Sequence, residues 1–316
     1  MNMGKANLDV FAETLLEIAR QDRDVVVVTS DSRGSAKLAN FFKELPRQVV
    51  ELGIAEQNLV GVAAGLASAG KKVFAVSPAC FLTARALEQI KNDVAYSDLP
   101  VKLVGISAGV SYGALGSTHH SLHDLAALQA INNIDIVVPA DNFETRETIR
   151  AAVGHAKPLY IRFGKRPLPH LHAEGTRFAI GKALVLSTGA DVTFIATGET
   201  AWRAVEAARL LGASGISCGV ISLPWLRPFD EQALLSAARG TRAVVTVEEH
   251  SVHGGLGSRC AALFLEHGLP LCFKIVAIPD EPTVSGSQDE IFAHYGITPA
   301  GLGRIVQALL EKERVS

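Results

Sequence analysis

Short runs of β-branched and other apolar residues alternate along this chain with segments of helical length. In the first half the runs are VVVVTS (25–30), KVFAVS (72–77), VKLVGI (101–106), IDIVVP (134–139) and PLYIRF (158–163). They lack strict apolar–polar alternation, which suits strands buried on both faces. Between them, residues 7–20, 56–69, 83–96 and 142–155 carry apolar residues at helical spacing. Strand–helix alternation of this kind predicts a mostly parallel sheet covered by helices on both sides. The rhythm pauses over residues 164–189, where two prolines, two histidines and four glycines fall. That stretch reads as a linker with room for a short strand pair. Alternation then resumes with DVTFIAT (191–197), helix 200–212, ISCGVISL (216–223), helix 230–238, RAVVTVEE (242–249), helix 255–267, LCFKIVAI (271–278) and a last helix over 299–312. Two α/β domains follow, the first over 1–165 and the second over 190–316, with 166–189 as linker.

Length agrees with two domains, since 316 residues exceed what one core usually holds. The formal net charge of −2 leaves no basic surplus for a nucleic-acid backbone or an anionic membrane. No apolar run approaches the ~20 residues that span a bilayer. The N-terminus, MNMGKANLDVFAETL, lacks the basic-then-apolar order of a signal peptide. A cytoplasmic location is the expectation. Cys80, Cys218, Cys260 and Cys272 sit singly in apolar runs and form no CxxC pair, so buried thiols are expected rather than a metal or redox site.

Chemistry concentrates in VVELGIAEQNLVGVAAGLASAG (49–70). An apolar strand ends near Gly53, and Glu56 opens a helix built of Ala, Gly, Val and Leu. A carboxylate in a first helical turn is favoured by the helix dipole alone. This helix, however, is too apolar to face water, so Glu56 is aimed from a buried helix into the crevice where parallel α/β sheets bind ligands. GIAEQN with its Ala/Gly helix resembles the pyrimidine-binding domain of transketolase-type thiamine-diphosphate enzymes. Other motifs fall in the same order: TSDSRGSAKL (29–38), PACFLTARALEQIKNDVAYSDLPV (78–101), GALGSTHHSLHD (113–124), PAD (139–141), YIRFGKRP (160–167) and, in the second half, VEEHSVHGGLGS (247–258). The resemblance therefore runs over essentially the full length and implies a transketolase C-terminal-like second domain.

The resemblance assigns roles residue by residue. Glu56 would hydrogen-bond the pyrimidine ring of thiamine diphosphate and favour its imino form, a bond strengthened in low dielectric. Phe81 would stack on that ring, and Asp31 would lie near the cofactor at a subunit boundary. His119, in the group His119-His120-x-x-His123, would act as acid or base on substrate oxygens, as imidazole can near neutral pH. Ser35 and Arg162 would hold a sugar phosphate. Transketolases generally carry a His where this chain has Ser107 and an Asp where it has Leu115, so an altered ketose donor is expected. The family's Mg²⁺ and diphosphate are held by a GDG motif, and no GDG occurs here. The expectation is a split enzyme, active only with a partner subunit bearing GDG, as an α₂β₂ particle.

Other readings compete. A 2-oxoacid dehydrogenase β subunit shares much of the motif order. Gly105-Ile-Ser107-Ala-Gly109 matches the G-x-S-x-G nucleophile elbow of serine hydrolases, but the glycine-rich GVSYGALGSTHH follows where that motif needs a helix. GGLGS (254–258) lacks the third glycine and the downstream acid of a dinucleotide site, and reads as a tight turn before a helix.

Overall fold

The computed structural model describes residues 1–313. Its strands are β1 (Met3–Ala6), β2 (Val25–Thr29), β3 (Val49–Glu51), β4 (Lys72–Pro78), β5 (Lys102–Ile106), β6 (Asp135–Val137), β7 (Leu159–Arg162) and β8 (Pro167–Pro169) in the first half. Then come β9 (Leu184–Ser187), β10 (Val192–Ala196), β11 (Cys218–Ser222), β12 (Trp225–Arg227), β13 (Ala243–Ser251) and β14 (Cys272–Ile278). One sheet has the order β12-β6-β7-β5-β4-β2-β3 and a second the order β14-β13-β10-β11-β9. Within each, every pairing is parallel except those of the edge strands β12 and β9.

Burial on both faces explains why these strands read as unbroken apolar runs. All five residues of β2 are buried. Val25 and Val27 join the core beneath helices Asn7–Gln21 and Asn142–Gly154, with Leu8, Phe11, Leu15 and Ile149. Val26 and Val28 face the opposite way, onto Leu59, Val60 and Ala63 of helix Glu56–Ser68. That second core continues into the C-terminal half through Ile195, Val244, Leu256 and Cys260, so the halves share apolar packing.

Three local expectations change. The helix expected over 83–96 is a helix at Ala79–Arg85, a short turn at Leu87–Gln89 and a π-helical stretch at Ile90–Tyr96. Ala86 leaves helical backbone at φ −104° and ψ 20°, a break that apolar spacing alone does not reveal. The linker's strands do not pair with each other: β8 pairs with β1 at the N-terminus, and β9 with β11. β12, from beyond the linker, adds antiparallel to β6 and closes the edge of the first sheet.

The GGLGS turn is satisfied from within the chain. Glu248 accepts hydrogen bonds from the Leu256 and Gly257 amides at 2.7 and 2.8 Å, at the start of helix Leu256–Glu266. The helix N-terminus thus already holds a carboxylate. Cys80 and Cys260 are buried, and Cys218 and Cys272 are half-buried, all as free thiols.

Candidate active site

Adjacent parallel strands β5, β4, β2 and β3 each deliver residues from their carboxyl ends to one side of the sheet. Asp31, Ser32 and Ser35 follow β2; Glu56 follows β3 through a Gly53 turn at φ +71°; Phe81 follows β4; and the loop 107–123 follows β5. This is the edge where open α/β sheets form binding crevices. A pocket of about 310 Å³ lies there, and Asp31, Ser35, Glu56, Phe81, Leu115 and His119 all line it.

Glu56 is the first residue of its helix and is only 4% exposed. Arg85 donates from Nη1 to both of its carboxylate oxygens at 3.1 Å. Arg85 lies one turn beyond Phe81 on helix Ala79–Arg85, and its guanidinium carbon sits 4.1 Å from the Phe81 ring centroid. The His119 ring stands edge-on to Phe81 at 5.2 Å and to Tyr112 at 5.3 Å, each at 72°. His119 Nδ1 is 3.0 Å from Thr118 Oγ1, which leaves Nε2 as the ring nitrogen available to a ligand. The other two histidines turn elsewhere: His120 Nε2 meets the Gly113 carbonyl at 2.9 Å, and His123 Nε2 lies 3.4 Å from Thr83 Oγ1. Leu115 is 56% exposed and lines the same pocket. Behind Asp31, hydroxyls of Ser30, Ser32 and Ser77 form a buried chain at 2.9 and 3.0 Å.

Arg162 and Ser107 lie outside this group. Arg162, expected to face a phosphate, is instead buried between the two halves of the chain. Its Nε donates to Asp124 Oδ2 at 2.7 Å, and its Nη2 donates to the carbonyls of Ser121 and Glu249 at 3.1 and 2.9 Å. Tyr160 donates its hydroxyl to the same Asp124 oxygen at 2.7 Å. Burial pushes the Asp124 carboxyl up, yet the adjacent Arg162 charge outweighs it and holds the group below the usual range. A guanidinium so engaged has no donor geometry left for a substrate. Ser107 is fully buried at φ +53° with Tyr112 as its neighbour, and no helix follows it. The glycines flanking it serve packing: a Cβ on Gly105 would run into the Tyr160 hydroxyl, and one on Gly109 into the Glu249 carboxyl group. The elbow-like spacing is thus explained without a nucleophile.

Arg85, Tyr112 and Lys165 join the site without having been singled out by motif. Arg85 carried a signal, since a residue four after Phe81 shares its helix face. Lys165 did not: its ammonium lies 4.6 Å from the centroid of Tyr112, a contact between separate loops.

Known proteins match along the whole chain. Residues 4–170 match the model of the transketolase pyrimidine binding domain, and residues 181–302 that of the transketolase C-terminal domain. One of the two subunits of an apulose-4-phosphate transketolase from Phocaeicola vulgatus is 46% identical over 303 residues, covering 96% of each chain. A 6-deoxy-6-sulfo-D-fructose transketolase subunit from Clostridium sp. is 34% identical, covering 96% of this chain and 94% of its own. Among solved structures, a split-gene transketolase described as an inactive beta4 tetramer superposes with a TM-score of 0.87 at 37% identity, covering 98% of this chain and 99% of that one. With both domain models matched in order and the pocket on the pyrimidine-binding sheet, the chain belongs to the transketolase family, as a subunit of the split kind.

Proposed function

We propose that this chain supplies the pyrimidine-activating half of a two-subunit transketolase whose donor is a ketose phosphate, with apulose 4-phosphate the first candidate. One observation carries the reading: Glu56, Phe81, His119, Asp31, Ser35 and Leu115, far apart in sequence, line a single pocket. Family membership brings thiamine-diphosphate-dependent ketol transfer between a ketose and an aldose. The residues fit the cofactor's aminopyrimidine, because a buried carboxylate at a helix start stands beside an aromatic face. When bound, the cofactor supplies the nucleophilic carbon and the electron sink of ketol transfer.

The chain's own residues divide the remaining work. Glu56 accepts a hydrogen bond from the ring nitrogen and so favours the tautomer whose imino group acts as base. Arg85 yields the Glu56 carboxylate to that ring, and Phe81 packs against it. Asp31 lies at the mouth of the site, where the partner subunit closes over the cofactor. His119 uses Nε2 to hold or deliver a proton at a donor oxygen. Leu115 offers methyl groups where an acceptor for a sugar hydroxyl would otherwise stand, which favours a carbon substituent there. With Arg162 occupied, Lys165 is the cation for the phosphate, assisted by the Ser35 hydroxyl.

Mg²⁺ and the diphosphate fall to a partner subunit carrying GDG, and the pair assembles as α₂β₂ with two sites. The test is reconstitution with that partner. The pair turns over ketose donors, the isolated chain does not, and Glu56→Gln in the pair lowers kcat by well over tenfold, about 1.4 kcal/mol of barrier, with the fold intact. Full turnover by the isolated chain, or a Gln variant within tenfold of the parent, refutes the assignment.

A further inference from the structure

The loop 107–123 carries Tyr112, Leu115 and His119, and its two ends meet where the Ser121 amide donates to the Gly109 carbonyl at 2.7 Å. The grip on this stem comes from the C-terminal half. Glu249, near the end of β13, accepts the Val110 amide on Oε1 at 2.9 Å. Two residues later the Ser251 amide donates to the Leu122 carbonyl at 3.1 Å. Arg162 ties the Ser121 carbonyl to that of Glu249. The Glu249 side chain fills the space that Gly109 leaves open, and Gly109 holds φ +61°, so both the missing Cβ and the backbone twist are used. Further along the loop, a Cβ on Gly113 would lie 2.7 Å from the Gly286 carbonyl, so its crown also rests on the C-terminal half. Gln288 completes the arrangement by donating to Glu249 Oε1 at 2.8 Å and to Glu199 Oε2 at 3.3 Å.

A buried carboxylate is a costly choice for a mere filler. Glu249 is 4% exposed, and burial pushes its carboxyl up, as it pushes neighbouring Glu199 to about 8. Its acceptor role is what a hydrocarbon could not supply. Glu248, the preceding residue, points to the other face of β13 and serves only helix Leu256–Glu266.

We propose that Glu249 is a positioning residue for ketol transfer: by accepting the Val110 amide in the space above Gly109, it sets the place of the loop that presents His119 and Leu115 to the donor. The C-terminal domain thereby acts in the reaction by holding this loop. The inference rests on the reading of His119 and Leu115 given above. Glu56 and Phe81 stand on other elements, so cofactor affinity is independent of Glu249.

The experiment compares Glu249→Ala, Glu249→Gln and Glu248→Ala in the reconstituted pair and in the isolated chain. Glu249→Ala lowers kcat/KM for the donor by on the order of 10²-fold, the scale of an ångström-sized misplacement. Thiamine diphosphate affinity by calorimetry stays within about threefold, well under the 1.4 kcal/mol of a tenfold change. Glu249→Gln keeps an acceptor for Val110 and restores most of the activity, while Glu248→Ala lowers stability without a selective loss in donor use. In the isolated chain, hydrogen exchange over 109–122 quickens in Glu249→Ala and not in Glu248→Ala. Should the alanine variant fail to fold, Glu249→Asp withdraws the carboxylate by one methylene and is measured instead. Unchanged turnover and exchange in the Glu249 variants, or an equal donor-side loss in Glu248→Ala, overturns the proposal. If the parent pair transfers no ketol unit, the functional reading is what fails, and the exchange comparison alone decides whether Glu249 holds the loop.

Discussion

Arg162 and Lys165 stand three residues apart, yet the structure gives them opposite tasks, and substituting each in turn separates them. In Arg162→Met the apolar stem keeps its packing while the three donated hydrogen bonds vanish. Asp124, fully buried, then keeps Tyr160 as its hydrogen-bond donor, with His250 Nε2 3.8 Å from its other oxygen. Breaking one side of such a buried pair costs about 3–5 kcal/mol. The carbonyls of Ser121 and Glu249 lose a donor as well, which places the expected loss toward the upper end. Urea unfolding of the isolated chain, followed through Trp202 and Trp225, reads this as a lowered midpoint. Adding Asp124→Asn removes the stranded charge, so the double variant recovers part of the loss, and the cycle reports the coupling. Lys165→Met is expected to move stability by no more than about 0.5 kcal/mol, since the residue is exposed. In the reconstituted pair it instead raises KM for a phosphorylated donor about tenfold or more, as loss of a charge-assisted hydrogen bond does. If Arg162→Met loses less than about 1 kcal/mol while weakening the phosphorylated donor selectively, the buried-network argument is wrong and Arg162 is the phosphate ligand.

Two further outcomes follow from the same geometry. Leu115→Asp places an acceptor at the pocket rim, so preference shifts toward xylulose 5-phosphate and away from apulose 4-phosphate in competition assays. An unchanged ratio removes Leu115 from donor selection. His250 is fully buried, with Nδ1 2.9 Å from the Ser251 carbonyl and Nε2 accepting from the Ala126 amide at 3.4 Å. Burial lowers its pKa from 6.5 to about 4, Asp124 opposing only in part. The unfolded chain therefore binds this proton more readily than the folded one between those values. Its contribution is complete above about pH 6.5 and is lost as pH falls toward 4, on the order of 3 kcal/mol in all. His250→Gln flattens this acid limb in urea titrations at pH 7 and 4.5; a limb of equal depth in the variant assigns the loss to other groups.

How much could be read in advance depended on whether local pattern determined the answer. β2, β4, β5 and β10 are buried on both faces, and such strands show in sequence as continuous β-branched runs. β12 has three residues, lies between two prolines and is defined by its pairing with β6 across the linker, so no local signal announces it. The same division holds at the pocket. Glu56 is legible because an acid opening a helix of Ala and Gly is a local contradiction that only a ligand or a buried cation resolves; here Arg85 meets it. Arg162 is open to misreading because an arginine closing a parallel strand looks alike whether it faces a crevice or another domain. What decides between them is Asp124, thirty-eight residues earlier, whose approach is created by the packing of the two halves. Glu249 marks the boundary between these cases. In VTVEEHS, strand alternation sends Glu248 and Glu249 to opposite faces, and in a strand buried on both sides each acid must find a donor. The sequence thus demands two partners for this pair without naming either, and one of them proves to be the backbone of the loop that carries His119.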